Sequence, residues 1–212
     1  MSFYDVAKKI IKPIVKTLFR VTVTGGEKMP TEGSLLVCAN HISLFDPVVL
    51  AVVFPRQVHY MGKKELFKVP VLRSFIRAVG AFPVDRGASD VGAIKTTISY
   101  VKSGAAVGIF PQGTRCPGVD PAETEVKSGV GMIAARAGCD VLPVFIKTKK
   151  NRVRLFGKIE LIVGEPIKNS EFGFENGGKK DYDGAAKLIF SRICALGGYE
   201  YAVKNAEKGE NP

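Results

Sequence analysis

Two rhythms of apolar positions take turns along this chain, one with the three-and-four spacing of a helix and one of short continuous runs. At the start, Phe3, Val6, Ala7, Ile10, Ile11, Ile14, Val15, Leu18 and Phe19 follow the helical spacing, while Lys8, Lys12, Lys16 and Arg20 recur every fourth residue. That pairing predicts an amphipathic helix over residues 1–20. A four-residue repeat drifts by about 40° per step on a helix of 3.6 residues per turn, and Pro13 removes a rung of the ladder. A kink near Pro13 would bring both halves onto one surface. Basic residues flanking an apolar stripe suit a helix pressed onto anionic lipid; the same stripe would equally serve a helix docked on the protein's own core.

Beyond it, short apolar runs alternate with helical stretches. Arg20–Thr24 reads as an edge strand, Ser34–Ala39 as a buried strand and Pro47–Phe54 as a short buried helix. A strand over 57–61, helices over 64–68 and 70–79, and a strand over 81–84 follow. Residues 89–102 space Ile94, Ile98 and Val101 along one side of a helix that Gly104 closes. The run 105–110 is a strand entering the turn Pro111-Gln112-Gly113. Next come a helix over 129–137 ending at Gly138, a strand over 141–146, and a hairpin or strand pair formed by 153–156 and 158–163 about Gly157. A closing helix over 182–196 precedes a frayed tail at 206–212. Strands alternating with helices predict an α/β fold with a mostly parallel central sheet flanked by helices. A length of 212 residues suits one such domain, spanning 21–205.

Charge changes this picture more than composition does. The chain carries a formal net charge of +11, concentrated in three stretches. Residues 1–20 hold five basic side chains against Asp5, residues 61–77 hold five against Glu65, and residues 147–158 hold six with no acid. A polyanionic partner is implied: a phosphorylated small molecule, an anionic membrane surface, an acidic carrier protein or nucleic acid. No RNA- or DNA-binding motif accompanies the charge, which ranks nucleic acid last. Cys38, Cys116, Cys139 and Cys194 lie far apart without a CxxC pair, which argues against a metal site or disulfide framework and for a reducing compartment. No uncharged run is long enough to span a bilayer, and no small-residue cleavage site follows the basic helix. The expected location is the cytoplasmic face of a membrane, held peripherally or monotopically.

Three apolar strands end in polar turns: Asn40-His41, Asp85-Arg86, and Gln112-Gly113-Thr114-Arg115. Ligands of open α/β sheets bind at the carboxyl ends of strands, so these turns could converge on one pocket. His41 and Asp46 stand five apart, as a general base and a carboxylate fixing its tautomer would. Asp46 before Pro47 also fits a helix N-cap with proline at the first helical position. His59 has no carboxylate at comparable spacing and reads as structural.

Taken in order, these residues resemble the glycerolipid acyltransferase family from about Val23 to Pro166. Asn40, His41 and Asp46 are similar to its first block, and Gly80-Ala81-Phe82-Pro83-Val84-Asp85-Arg86 to its second. Phe110-Pro111-Gln112-Gly113-Thr114-Arg115 is similar to the third, and Val141-Leu142-Pro143-Val144 to the fourth. Gln112 departs from the pattern, since glutamate usually stands there; glutamine keeps the carbonyl and loses the charge. If the missing carboxylate orients the acceptor, acceptor choice or rate changes, and if it bonds the turn backbone little does. The resemblance implies acyl transfer from a thioester, acyl-CoA or acyl carrier protein, to the sn-2 hydroxyl of lysophosphatidic acid, giving phosphatidic acid with no further cofactor. His41 would act as base and Asp46 as its orienter, with no serine or cysteine nucleophile. Arg86 and Arg115 are the best candidates for the acceptor phosphate, with Thr114, the Gly113 amide, Lys63 and Lys64 as lesser ones. Rival readings are another lysophospholipid or glycerol 3-phosphate as acceptor, a catalytically silent membrane-binding protein, and a thioesterase or lipid hydrolase, in which paired arginines would have little purpose.

Overall fold

Five consecutive apolar residues form strand β2 (Leu35–Ala39), and all five are buried. Alternate side chains of a strand point to opposite faces, so a run this apolar requires cover on both sides. Leu35, Val37 and Ala39 pack into one core cluster with helices α1 (Phe3–Leu18) and α2 (Asp46–Val53). Leu36 and Cys38 pack into a second with α4 (Asp90–Lys102), α5 (Gly129–Ala137) and α6 (Lys179–Leu196). The computed structural model describes residues 3–78, 80–84, 90–174 and 177–201. Asp85 and Arg86, and the tail at 206–212, lie outside the described residues.

The remaining strands are β1 (Arg20–Thr24), β3 (Val58–Lys63), β4 (Ala81–Val84), β5 (Ala106–Ile109), β6 (Asp140–Thr148) and β7 (Lys158–Val163). Among the described residues they make one sheet in the order β1-β7-β6-β2-β5-β3-β4. Strands β2 to β6 are mutually parallel, β7 runs antiparallel to β6, and β1 pairs parallel to β7 at the edge. The fold is therefore the expected α/β arrangement of a mostly parallel sheet between helices. Its polarity has a consequence for the site. The carboxyl ends of β2, β3, β4, β5 and β6 share one edge of the sheet with the amino ends of β7 and β1.

Helix α1 runs through Pro13 and docks on the core by one face. Tyr4 and Val15 are buried, Ile11 and Leu18 pack beside them, and the Tyr4 hydroxyl donates to the Ala51 carbonyl at 2.9 Å. Lys8 donates to the Phe54 carbonyl. A second apolar row, Val6, Ile10 and Ile14, stays in solvent at 44%, 60% and 52% exposure. Among the described residues no helix is long and apolar enough to cross a membrane.

Two expectations fail. No strand forms over 153–156: residues 149–151 make a short 3-10 helix, with Lys150 and Asn151 at positive φ, and Phe156 is also left-handed at φ 60°. Strand β7 has one neighbour on each side, β6 and β1, so it offers no free edge for a hairpin partner. Asp46 does not cap α2 either. No side chain caps that helix, and the Asp46 carboxylate turns back toward the preceding loop instead.

Candidate active site

The site begins where β2 ends. Asn40 is fully buried and continues the β2·β6 pairing with its side chain: its Oδ1 accepts from the Ile146 N–H at 2.7 Å and its Nδ2 donates to the Ile146 carbonyl at 3.2 Å. The next residue, His41, is held by the loop after β5 on both of its peptide groups. Its N–H donates to Gln112 Oε1 at 2.7 Å, and its carbonyl accepts from the Cys116 N–H at 2.8 Å. The imidazole lies on the Phe110 ring with centroids 4.0 Å apart and planes 15° from parallel. Backbone and ring are thus fixed from different directions.

Asp46 completes the arrangement. Its Oδ2 stands 2.8 Å from His41 Nδ1 and also accepts the N–H groups of Ile42 and Ser43, each at 2.7 Å. The carboxylate is 1% exposed and the imidazole 17%. A carboxylate can only accept, so the proton of the neutral ring sits on Nδ1 and Nε2 keeps its lone pair. Such a ring is poised to take a proton from a hydroxyl that approaches its partly open side. The nearby Cys116 is not set up as a nucleophile. Burial pushes its thiol above the ordinary range, which keeps it protonated, and its Sγ faces the Thr114 carbonyl.

The family model described as Acyltransferase matches residues 20–147. The chain belongs to that family. It is 34% identical to the 1-acyl-sn-glycerol-3-phosphate acyltransferase of Bacillus subtilis over 172 residues, 80% of this chain and 84% of that one. The enzyme of the same name from Streptococcus pneumoniae is 30% identical over 79% of this chain and 61% of its own. The crystal structure of the 1-acyl-sn-glycerophosphate (LPA) acyltransferase of Thermotoga maritima superposes with a TM-score of 0.62 at 28% identity, covering 91% of this chain and 78% of that one. The protein is accordingly an acyltransferase.

The other motif residues can be located in the same frame. Gln112, at the position where the family usually carries glutamate, is 3% exposed and turned into the protein. Its carbonyl serves His41 and its Nε2 donates to Thr124 Oγ1 at 2.8 Å, while that hydroxyl donates to the Pro121 carbonyl at 2.7 Å. Gly113 sits at φ 69°, where an added Cβ would also come within 3.2 Å of Lys127 Cγ. Its N–H closes the turn onto the Phe110 carbonyl at 2.9 Å, so that amide is not a free donor for a phosphate. Thr114 and Arg115 are exposed beyond it, and Arg115 has no ion-pair partner among the described residues. Lys63 ends β3 and Lys64 follows it, both exposed on the same edge of the sheet as His41. Pro143 is buried within β6, opposite Cys38 and one residue before the β6·β7 ladder starts. Pro143 joins the sheet as an acceptor only: its carbonyl takes the Gly164 N–H at 2.9 Å, and its missing N–H falls just before the β6·β7 ladder starts.

His59 lies apart. It is level with Leu36 along the sheet, through their common neighbour Val107, roughly 16 Å short of His41 at 3.3 Å per residue. Its ring meets Tyr100 with centroids 4.9 Å apart. Sequence reasoning missed Phe110, Thr124 and the amides of Ile42 and Ser43. Phe110 was visible as the aromatic residue opening the third block, but the contact with His41 joins residues far apart in the chain. Nothing in the sequence marks Thr124.

Proposed function

We propose that this enzyme transfers an acyl group from a thioester, acyl-CoA or acyl carrier protein, to the sn-2 hydroxyl of 1-acylglycerol 3-phosphate and so makes phosphatidic acid. The observation that carries the reading is the His41 ring, held by Asp46 at 2.8 Å with Nε2 left as the free acceptor. The relatives' names supply the substrate class. His41 Nε2 takes the proton as the acceptor oxygen attacks the thioester carbonyl. The new C–O ester bond forms, the C–S bond breaks, and the imidazolium returns the proton to the departing thiolate. Asp46 holds the tautomer and stabilises the transient positive ring. Direct transfer needs no acyl-enzyme, in keeping with the protonated Cys116 thiol.

Arg115, exposed in the loop after β5, suits the acceptor phosphate because its planar fork bonds two oxygens at once. Lys63, Lys64 and Thr114 would assist, as would Arg86. The amide of Gln112 faces protein on both sides, so its lack of charge gives no support to a different acceptor. The exposed apolar row of α1 beside Lys12 and Lys16 suits peripheral attachment to an anionic membrane, and a cytoplasmic face would bring either donor within reach.

The test is phosphatidic acid formation from lysophosphatidic acid with labelled acyl-CoA and, separately, labelled acyl carrier protein. His41→Ala should lower turnover by about a thousandfold, the middle of the range for removing a general base. Wild-type inactivity with both donors, or an unimpaired His41→Ala variant, would overturn the assignment.

A further inference from the structure

We infer that the turn Arg154-Leu155-Phe156-Gly157 is a second membrane contact, which buries Leu155 and Phe156 in the interface of an anionic bilayer beside the mouth of the site. The inference deepens the lipid-substrate reading and rests on it. Leu155 and Phe156 are 64% and 65% exposed. Phe156 holds φ 60°, a backbone region that a residue with a side chain avoids unless its surroundings impose it.

The surroundings do impose it. The Gly157 N–H closes the turn on the Arg154 carbonyl at 3.0 Å, the Phe156 N–H donates to the Leu18 carbonyl at 2.7 Å, and the Gly157 carbonyl accepts from the Arg20 N–H at 3.1 Å. An aliphatic and an aromatic side chain are therefore presented to solvent by a turn tied to the junction of α1 and β1. Large apolar residues adjacent in a built turn are what an interfacial contact needs.

Position and charge identify the occupant. Strand β7 starts at Lys158 and runs opposite to β6, so the turn lies on the edge of the sheet where His41 follows β2. The turn is linked to the site loop through the core: the Leu18 carbonyl accepts from Phe156, the next residue, Phe19, is buried and meets Phe45 with centroids 5.2 Å apart, and Leu44 and Phe45 are themselves 69% and 47% exposed in the loop just after His41. The stretch that carries the turn, 147–158, holds Lys147, Lys149, Lys150, Arg152, Arg154 and Lys158 and no acid, and Arg20 pairs in register with Lys158; Glu160, opposite Lys147 and 3.9 Å from Lys158, offsets one of these charges. An apolar tip flanked by an excess of cations complements a bilayer, whose charged headgroups overlie its acyl chains. An acyl acceptor lodged in that bilayer would then meet His41 along the Leu44-Phe45 edge.

The chain contains no tryptophan, so Phe156→Trp introduces a single indole emitter. With vesicles of phosphatidylcholine and phosphatidylglycerol carrying brominated acyl chains, the emission of this variant should shift to the blue and fall by about half or more, as for a side chain at the headgroup and acyl boundary. The same vesicles should leave unquenched the indole of a Lys102→Trp variant, which is exposed at the end of α4 that leads into the start of β5 on the opposite edge of the sheet. Phe156→Gly is the decisive variant. Glycine accepts positive φ freely, so this variant should melt at or above the wild type and yet bind phosphatidylglycerol vesicles about fivefold more weakly. Its turnover of a short-chain, monomeric lysophosphatidate should be unchanged. Unquenched emission from vesicle-bound Phe156→Trp protein, or wild-type vesicle affinity in Phe156→Gly, would overturn the inference. So would a lipid-free dimer that Phe156→Gly dissolves, because a second copy would then be the occupant. Failure of the acyltransfer reading would show separately, as absence of wild-type turnover with the monomeric substrate whatever the quenching.

Discussion

The Gln112 side chain joins two loops, and its two ends make opposite demands. The His41 N–H requires an acceptor, so Oε1 must face it and Nε2 must face Thr124. In the native background, Thr124→Val leaves one nearly buried N–H of Gln112 without an acceptor, at a cost of about 1–2 kcal/mol. Gln112→Glu keeps the bond from His41 and makes it charge-assisted, while the second carboxylate oxygen now needs a donor. The Thr124 hydroxyl can become that donor by turning away from the Pro121 carbonyl, which still holds the Thr124 N–H at 3.1 Å. Thr124→Val in the Gln112→Glu background removes this rescue and leaves a charge at a 3% exposed position with one donor, at a cost of about 3–5 kcal/mol. The coupling between the two sites is then about 2 kcal/mol. Guanidinium unfolding of the four proteins measures it, and the double variant should melt on the order of 10 °C below Gln112→Glu alone, at about 2–4 °C per kcal/mol for a chain of this size. If Thr124→Val costs the same in both backgrounds to within about 0.5 kcal/mol, the amide is not oriented as described and the link between the loops is not specific.

Two further outcomes follow from the same geometry. Asp46 Oδ2 alone meets His41 Nδ1 and the Ile42 and Ser43 amides, so Asp46→Ala removes the acceptor of all three; kcat should fall by about 10²–10⁴, the thermal midpoint should fall with it because two N–H groups lose their acceptor, and a variant with near-normal kcat would refute the role of Asp46 as orienter. Burial lowers the His59 pKa below its ordinary 6.5. The unfolded chain therefore takes up a proton before the folded one as pH falls below about 6.5, so stability conferred by the neutral ring is intact above that value and is lost on acidification through the folded-state pKa. Guanidinium midpoints at about pH 7.5 and about pH 5 should differ less in His59→Gln than in the wild type, and an equal difference would sink that account.

The boundary between what is local and what is long-range runs through every part of this site. Hydrophobic spacing alone marked six helices and seven strands close to where they occur, because burial on one face of a helix or both faces of a strand leaves its period in the residues themselves. It marked one strand too many, at 153–156, since whether an apolar run pairs depends on a free sheet edge, and β6 and β1 occupy both edges of β7. The His41 and Asp46 pair was legible because one short loop carries it. Its N-cap alternative was equally legible and is not realised: the carboxylate finds two amides and an imidazole behind it rather than the helix in front. Whether α1 docks or stays in solvent was undecidable from its stripe, and the fold does both with separate rows of the same helix. Residues 40, 41, 110, 112, 124 and 146 meet only because β2 lies between β5 and β6, and spacing along the chain carries no trace of such crossings. The chemistry of the pair was therefore written locally, while the direction of the lone pair, the inward turn of Gln112 and the outward turn of Phe156 belong to the tertiary structure.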